Sequence, residues 1–278
     1  MKLSVISPVK NEAQFIGYSI MAILPYVHEI IYACAKSTDG TDELLDYIKD
    51  RYAKDRLILL RKVEYDFNVH DMPSYNKSFN DCIATATGDA CWFLHPDMIV
   101  TSPEKIPDIP KGLAWYTHMD SFAKDLNTKI VQGRANKWKN IQAKKLGLHY
   151  YGGYGSQNED FYFRDITGNK YIHYGTTFEA YPYRVLDSGI KVNHYCELKD
   201  FSRRYDKMKK CLKTIYPGIE EKALTELALA HPRVTLEQSS EVFGRFEFLE
   251  TNDPVPEVFG KYKDEFEAVT SKCLGEKA

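Results

Sequence analysis

Short apolar runs alternate with helix-patterned segments through the first third of the chain, and this alternation restricts it to folds in which helices cover a parallel sheet. Leu3-Ser4-Val5-Ile6-Ser7 reads as a strand that Pro8 ends. Beyond Asn11-Glu12 the apolar positions Phe15, Ile16, Ile20, Ile23 and Leu24 recur at helical spacing. His28 to Cys34 reads as a second strand, and the polar turn Ser37-Thr38-Asp39-Gly40-Thr41 supplies hydroxyls and a carboxylate to cap a helix from Asp42 to Tyr52. Leu57 to Leu60 is a third strand, Tyr75 to Thr87 a helix broken by Gly88, and Ala90 to Leu94 a buried strand.

That last strand ends abruptly in His95-Pro96-Asp97. In open α/β sheets ligands bind beyond the carboxyl ends of the strands, so polar side chains placed there face a substrate. An aspartate after a strand serves equally as a turn residue or helix cap, so Asp97 takes its meaning from what surrounds it.

From about Thr101 the texture changes. Pro103, Pro107 and Pro110 mark a loop, and Leu113 to Thr117 reads as a further strand. No acidic side chain occurs between Asp125 and Glu159, whereas Lys129, Arg134, Lys137, Lys139, Lys144 and Lys145 are all basic. The glycine-rich aromatic stretch Tyr150-Tyr151-Gly152-Gly153-Tyr154-Gly155 then leads into Asn158-Glu159-Asp160. Tyr171 to Tyr183 is strand-rich and Ile190 to Tyr195 is a last short strand. Leu198 to Ile215, Glu220 to Ala230 and Val258 to Cys273 are helical. The expected organisation is an α/β domain over residues 1–197, with a nucleotide-binding half (1–100) and an acceptor half (101–197), followed by a helical extension over 198–278.

Several of these pieces, in this order and spacing, resemble the family-2 glycosyltransferases of the GT-A fold. They are Val5-Ile6-Ser7-Pro8-Val9-Lys10-Asn11-Glu12, Ser37-Thr38-Asp39-Gly40-Thr41, Tyr75-Asn76-Lys77-Ser78-Phe79-Asn80, and Thr87-Gly88-Asp89 through His95-Pro96-Asp97. Asn158-Glu159-Asp160, Phe178-Glu179 and His194-Tyr195 look more loosely like the family's distal half. The resemblance implies a Rossmann-like, mostly parallel sheet with helices on both faces. It also implies an enzyme that moves a hexosyl or pentosyl group from a nucleotide-diphosphate sugar, with inversion, to an acceptor hydroxyl, most simply on a glycan or glycolipid.

Such a transfer expels a nucleoside diphosphate, and a divalent metal stabilises the negative charge growing on it. The family's acidic D-x-D element reads His95-Pro96-Asp97 here, so only its second carboxylate is present. The resemblance makes Asp97 the principal ligand of Mn2+ or Mg2+ and lets His194 supply another. His95 either adds a nitrogen or only touches the sugar. Imidazole suits Mn2+ better than Mg2+. Pro8, Asn11, Glu12 and Asp39 fall in the family's base and ribose pocket, and Lys77 and His95 complete the donor-side set. Where relatives carry acids before Ser37, this chain has Cys34-Ala35-Lys36, and Lys36 is placed to meet a phosphate instead. An inverting transferase needs a base on the acceptor side. Asp160, Glu159 and Glu179 compete for that role: Asp160 follows a loop able to close, and Glu179 lies in an aromatic segment that would raise its pKa.

Composition narrows the partners. A formal charge of -2 and a pI near 6.5 give no global reason to expect nucleic acid or an anionic membrane. The six cysteines are scattered without a close pair, which speaks against a zinc knuckle or a disulfide scaffold and for a reducing compartment. No apolar run approaches a membrane span, and Leu3 enters a strand directly, so the expected location is cytoplasmic. Two other readings stay open. The basic stretch from Lys129 to Lys145, with Trp138 inside it and tyrosines after it, suits a DNA acceptor carrying a modified base. Loss of one metal carboxylate also suits a non-catalytic nucleotide-binding module.

Overall fold

A computed structural model describes residues 1–65, 72–131, 137–146, 148–151, 162–164, 170–172, 184–199, 201–216, 218–237 and 247–275. The first half alternates as the apolar pattern requires: β1 (Leu3–Val9), α1 (Ile16–Ile23), β2 (Glu29–Cys34), α2 (Thr41–Ile48), β3 (Leu57–Arg61), α3 (Met72–Thr85) and β4 (Ala90–Phe93). A short β5 (Met98–Val100) follows, then β6 (Ala114–Ala123), β7 (Thr128–Val131), β8 (Lys137–Ala143), β9 (His149–Tyr151), β10 (Tyr162–Arg164), β11 (Lys170–Ile172) and β12 (Val185–Glu197). The remainder holds α4 (Phe201–Ile215), α5 (Glu221–Ala230), α6 (Pro232–Thr235), β13 (Glu247–Glu250) and α7 (Glu257–Gly275).

β3, β2, β1 and β4 form a parallel block in that order. Antiparallel β8 extends it beside β4, β6 pairs with β8, and β12 runs parallel to β6 while pairing antiparallel with β5. Val5, Ile30, Tyr32 and Trp92 point into one hydrophobic core with α1, α2 and α7. Their neighbours Ile6, Ile31, Ala33 and Phe93 point into another with Phe79, Cys82 and Ile83 of α3. Burial on both faces is why these strands read as continuous apolar runs rather than alternating ones.

Pro8 does not end β1, which runs on to Val9. The Leu3 and Val9 carbonyls accept the His28 and Ala35 N–H groups at 2.9 and 3.0 Å, so the odd-numbered backbone groups face β2. The Pro8 nitrogen therefore faces the β4 side, where pairing already stops at Ile6 and Phe93, and its missing N–H costs no ladder bond. The expected helix from Asp42 to Tyr52 is α-helical only to Ile48 and continues as a π-helical turn over Lys49–Ala53. The strands expected at Leu113 to Thr117 and Ile190 to Tyr195 are longer, because each spans the full β6–β12 ladder. Of the strand-rich stretch Tyr171 to Tyr183, only Tyr171 and Ile172 lie among the described residues, in β11.

Two elements beyond residue 197 join the sheet region: β13 pairs with β7, and α7 packs on α1 and α2. On α7, Glu265 accepts hydrogen bonds from the Tyr47 and Tyr52 hydroxyls at 2.7 and 2.6 Å, and Phe266 packs beside Tyr18. Helices α4 and α5 share a small separate cluster of Leu212, Leu224 and Ala228.

Candidate active site

The carboxyl ends of β1, β2 and β4 lie side by side in the parallel block, which puts the loops after them on one edge. The first two loops are stitched together. Asn11 sits at a φ of 55°, a left-handed conformation that asparagine tolerates better than most residues. There its Oδ1 accepts the Thr38 N–H at 2.8 Å, while its own N–H donates to the Ser37 hydroxyl at 3.1 Å. The Glu12 N–H donates to Thr41 Oγ1 at 2.7 Å. Asp39 accepts the Thr41 N–H through Oδ1 at 3.1 Å and the Ala13 N–H through Oδ2 at 3.2 Å. Asn11 and Asp39, expected to line the donor pocket, thus set the shape of both loops.

Behind β4 a tight turn aims Asp97. The Met98 N–H donates to the His95 carbonyl at 3.0 Å, and the Asp97 carbonyl accepts the Tyr195 N–H at 2.9 Å. The Ser19 hydroxyl of α1 donates to the Met98 carbonyl at 2.7 Å, and buried Asn140 donates to the Phe93 carbonyl at 3.3 Å. Antiparallel pairing sets His194 opposite Met98, beside that turn.

Four charged or titratable side chains converge there. His194 Nε2 lies 3.4 Å from Asp97 Oδ1. Lys199 Nζ lies 3.0 Å from Asp97 Oδ2 and 2.9 Å from Glu12 Oε1. Side-chain exposures of 8% for Asp97, 11% for Lys199, 14% for His194 and 16% for Glu12 place the cluster largely out of water. Charges are rarely buried so far unless paired, and removing one partner of a buried pair costs about 3–5 kcal/mol.

The structure brings Asp97 and His194, paired in the sequence reading, together with Glu12, which that reading placed in the base and ribose pocket, and with Lys199, which the sequence did not single out. Lys199 stands between the end of β12 and a lysine-rich helix, and nothing in that run distinguishes it from its neighbours. Pro8 lies at the end of β1, opposite Ala33. Lys77 is found in exposed ion pairs with Asp81 at 3.2 Å and Glu64 at 3.9 Å. Asp160, Glu159 and Glu179 lie outside the described residues. Among the described residues no group of three or more His, Cys, Asp or Glu side chains forms a ready-made metal cage. The 3.4 Å between His194 Nε2 and Asp97 Oδ1 is nonetheless close enough for one ion with ligand distances of about 2.1 Å to touch both. The pair fits a cation as two ligands.

Cys34, Cys82 and Cys91 are free and buried, and burial pushes the Cys34 and Cys91 thiols up to about 12, so both stay protonated at neutral pH. An open recess lined by Met1, Gly88, Asp89, Gly112, Trp115, Ala143 and Lys144 lies at the opposite, amino end of β1 and β4 and shares no residue with the cluster.

A parallel sheet that gathers acidic and basic side chains at the carboxyl edge of its first and fourth strands has the form of a GT-A nucleotide-sugar transferase. The sequence profile of glycosyl transferase family 2 matches residues 4–181, and the chain belongs to that family: it is a nucleotide-sugar glycosyltransferase. No curated protein matches it. Among solved structures it is similar to TarS 1–349 of S. aureus in complex with UDP-GlcNAc, at 14% identity over 83% of this chain and 71% of that one, with a TM-score of 0.41. It is also similar to glucosyl-3-phosphoglycerate synthase of Mycobacterium tuberculosis in complex with Mn2+ and UDP-glucose, at 16% identity over 54% of this chain and 59% of that one, TM-score 0.35. A third is mannosyl-3-phosphoglycerate synthase of Rubrobacter xylanophilus, at 15% identity over 45% of this chain and 41% of that one, TM-score 0.32.

Proposed function

We propose that the protein transfers a hexosyl or pentosyl group, with inversion, from a nucleotide-diphosphate sugar to a hydroxyl of a glycan or glycolipid in the cytoplasm, using a divalent cation, Mn2+ before Mg2+. The observation that carries this reading is the meeting of Glu12, Asp97 and His194, from three separate elements, in one shielded cluster. Asp97 and His194 would hold the cation, which when bound supplies positive charge opposite the leaving diphosphate. Asn11, Glu12 and Asp39 shape the pocket for base and ribose at the ends of β1 and β2. The glycosidic bond to the diphosphate breaks as the acceptor oxygen bonds to the same carbon from the other face, and a carboxylate takes the hydroxyl proton. Asp160 is the favoured base, ahead of Glu179 and Glu159, and residues 101–197 would carry the acceptor side.

A DNA acceptor draws less support. Within the basic stretch, Lys129 is held between Asp120 and Asp253, and Lys144 donates to the Ala86 carbonyl, so both serve the fold. No helix among the described residues is long and apolar enough to cross a membrane. The test is a panel of nucleotide sugars incubated with Mn2+ or with EDTA, read by release of nucleoside diphosphate and by the anomeric configuration of the product. Transfer with inversion that needs the ion and is lost in Asp160→Asn supports the reading, whereas release of no nucleotide from any donor in the panel would overturn it and favour a non-catalytic module.

A further inference from the structure

We infer that Lys199 is an exchangeable tether: without donor its ammonium holds Oδ2 of Asp97, beside the oxygen that a cation would share with His194, and on donor binding it moves to the diphosphate. The inference rests on Asp97 being the cation ligand and adds a residue, a direction of movement and an order of events to that reading.

The geometry supplies the argument. Asp97 uses Oδ1 toward His194 and Oδ2 toward Lys199, so the ammonium sits on the oxygen next to the one a cation would share with His194. Glu12, from the other side of the site, holds the same ammonium at 2.9 Å. A divalent ion arriving at Asp97 would stand close to that ammonium in a partly dehydrated setting, where like charges repel strongly. The incoming diphosphate reverses the balance, because it offers oxygens to both cations at once. With Lys199 on the diphosphate and the ion on Asp97, the two positive charges no longer share one carboxylate.

The anchoring of Lys199 suits such a move. Arg204 donates to the Lys199 carbonyl and, at 3.4 Å, to the Val234 carbonyl, so the backbone is pinned where α4 begins. What remains adjustable is the four-carbon stem with three rotatable donors at its end. Leu198 closes a turn onto Tyr195, its N–H donating to that carbonyl at 3.1 Å, which fixes the base of the stem close to His194.

The test uses the full chain in two titrations. Mn2+ alone is followed by its electron paramagnetic resonance, and a panel of UDP, GDP, ADP and TDP is followed by calorimetry at saturating Mn2+. Lys199→Met is expected to bind Mn2+ alone about tenfold more tightly and the best diphosphate about tenfold more weakly than wild type. Lys199→Arg, which keeps the charge, is expected to leave Mn2+ affinity unchanged. Loss of Mn2+ affinity in folded Lys199→Met, no change in it, or an equal gain in Lys199→Arg overturns the inference. Should Lys199→Met not fold, the lysine ammonium resonance of Lys199 is followed in wild type with Mg2+ and the same panel. A shift supports the exchange and an unmoved signal overturns it. Failure of wild type to bind any diphosphate counts against the donor reading and the move onto it, whereas the Mn2+ titration of the two variants separately decides whether Lys199 opposes the cation; unchanged diphosphate affinity in Lys199→Met also overturns the inference.

Discussion

Asn11 Oδ1 accepts the Thr38 N–H at 2.8 Å from a left-handed backbone, and through this bond the loop after β1 fixes the loop after β2. Asn11→Ala removes the acceptor and leaves an ordinary side chain at a φ of 55°. Both effects act against the fold, by about 1–2 kcal/mol for the backbone and about 1 kcal/mol for the bond. Asn11→Gly restores the backbone freedom and loses only the bond. Denaturant titration should rank wild type above Gly and Gly above Ala, while calorimetry shows weakened donor binding in both variants. Equal stability of all three would show that the stitch contributes nothing.

Asp97→Asn tests the proposed cation site while sparing the turn that carries it. The Asp97 carbonyl still accepts the Tyr195 N–H at 2.9 Å, so the backbone keeps its path. The neutral amide cannot balance Lys199 and is a far weaker ligand for a divalent ion than a carboxylate, and turnover is expected to fall by about 10²–10³ or more. Mn2+ binding followed by electron paramagnetic resonance should disappear in parallel. A variant that retains metal-dependent transfer removes Asp97 from its assigned role.

The sequence made the parallel block legible because β1, β2 and β4 are buried on both faces and the loops after them carry polar residues at the expected offset. Val5 and Ile6 need no tertiary information to be read as strand, and Ser37 to Thr41 none to be read as a turn. The distal half obeys different physics. β7, β8 and β9 lie in a stretch whose lysines and tyrosines mask any alternation, and their pairing depends on partners far away in sequence, such as Phe248 of β13 opposite Ile130. The same distance hides Lys199, whose meaning comes from Glu12, and makes Glu12 more than a charge near a helix start.

Glu29 should give the fold a measurable acid sensitivity. It is 5% exposed, and its Oε1 accepts hydrogen bonds from the Ser4 hydroxyl at 2.6 Å and from Thr87 and Gly88 backbone N–H groups at 2.6 and 3.2 Å. Burial raises its pKa, but the hydrogen bonds from Ser4, Thr87 and Gly88 outweigh that and hold it below the usual carboxylate range. A carboxylate with a depressed folded pKa contributes stability that is complete above its unfolded value, about 4.3, and fades as pH falls through the lower folded value. Stability measured from pH 7 down to pH 3 should therefore fall more steeply in wild type than in Glu29→Gln. The variant should be about 1.5–3 kcal/mol less stable at neutral pH. Parallel curves would mean that Glu29 titrates as if unfolded.

The last prediction concerns how α7, remote in sequence, supports the site. A methyl group on Gly17 would stand 2.6 Å from Phe266 Cε2 and 2.7 Å from Cδ2, so α1 and α7 pack in contact only because residue 17 lacks a side chain. The Phe266 ring has little room to yield, being 3% exposed and packed against Tyr18 and Tyr262 at centroid distances of 5.4 Å. Gly17→Ala must then push α7 outward, at about 1–3 kcal/mol. The displacement should reach the site, because Phe259 of α7 packs on Phe15 at 6.3 Å and on Tyr195 at 5.5 Å, three residues from Glu12 and adjacent to His194. Donor affinity is expected to fall together with stability. Phe266→Ala in the Gly17→Ala background should destabilise by less than the sum of the two single changes, because the cavity left by the ring accommodates the new methyl. Additive effects in denaturant titration would place the strain elsewhere, and unchanged donor affinity in Gly17→Ala would uncouple α7 from the nucleotide-binding edge.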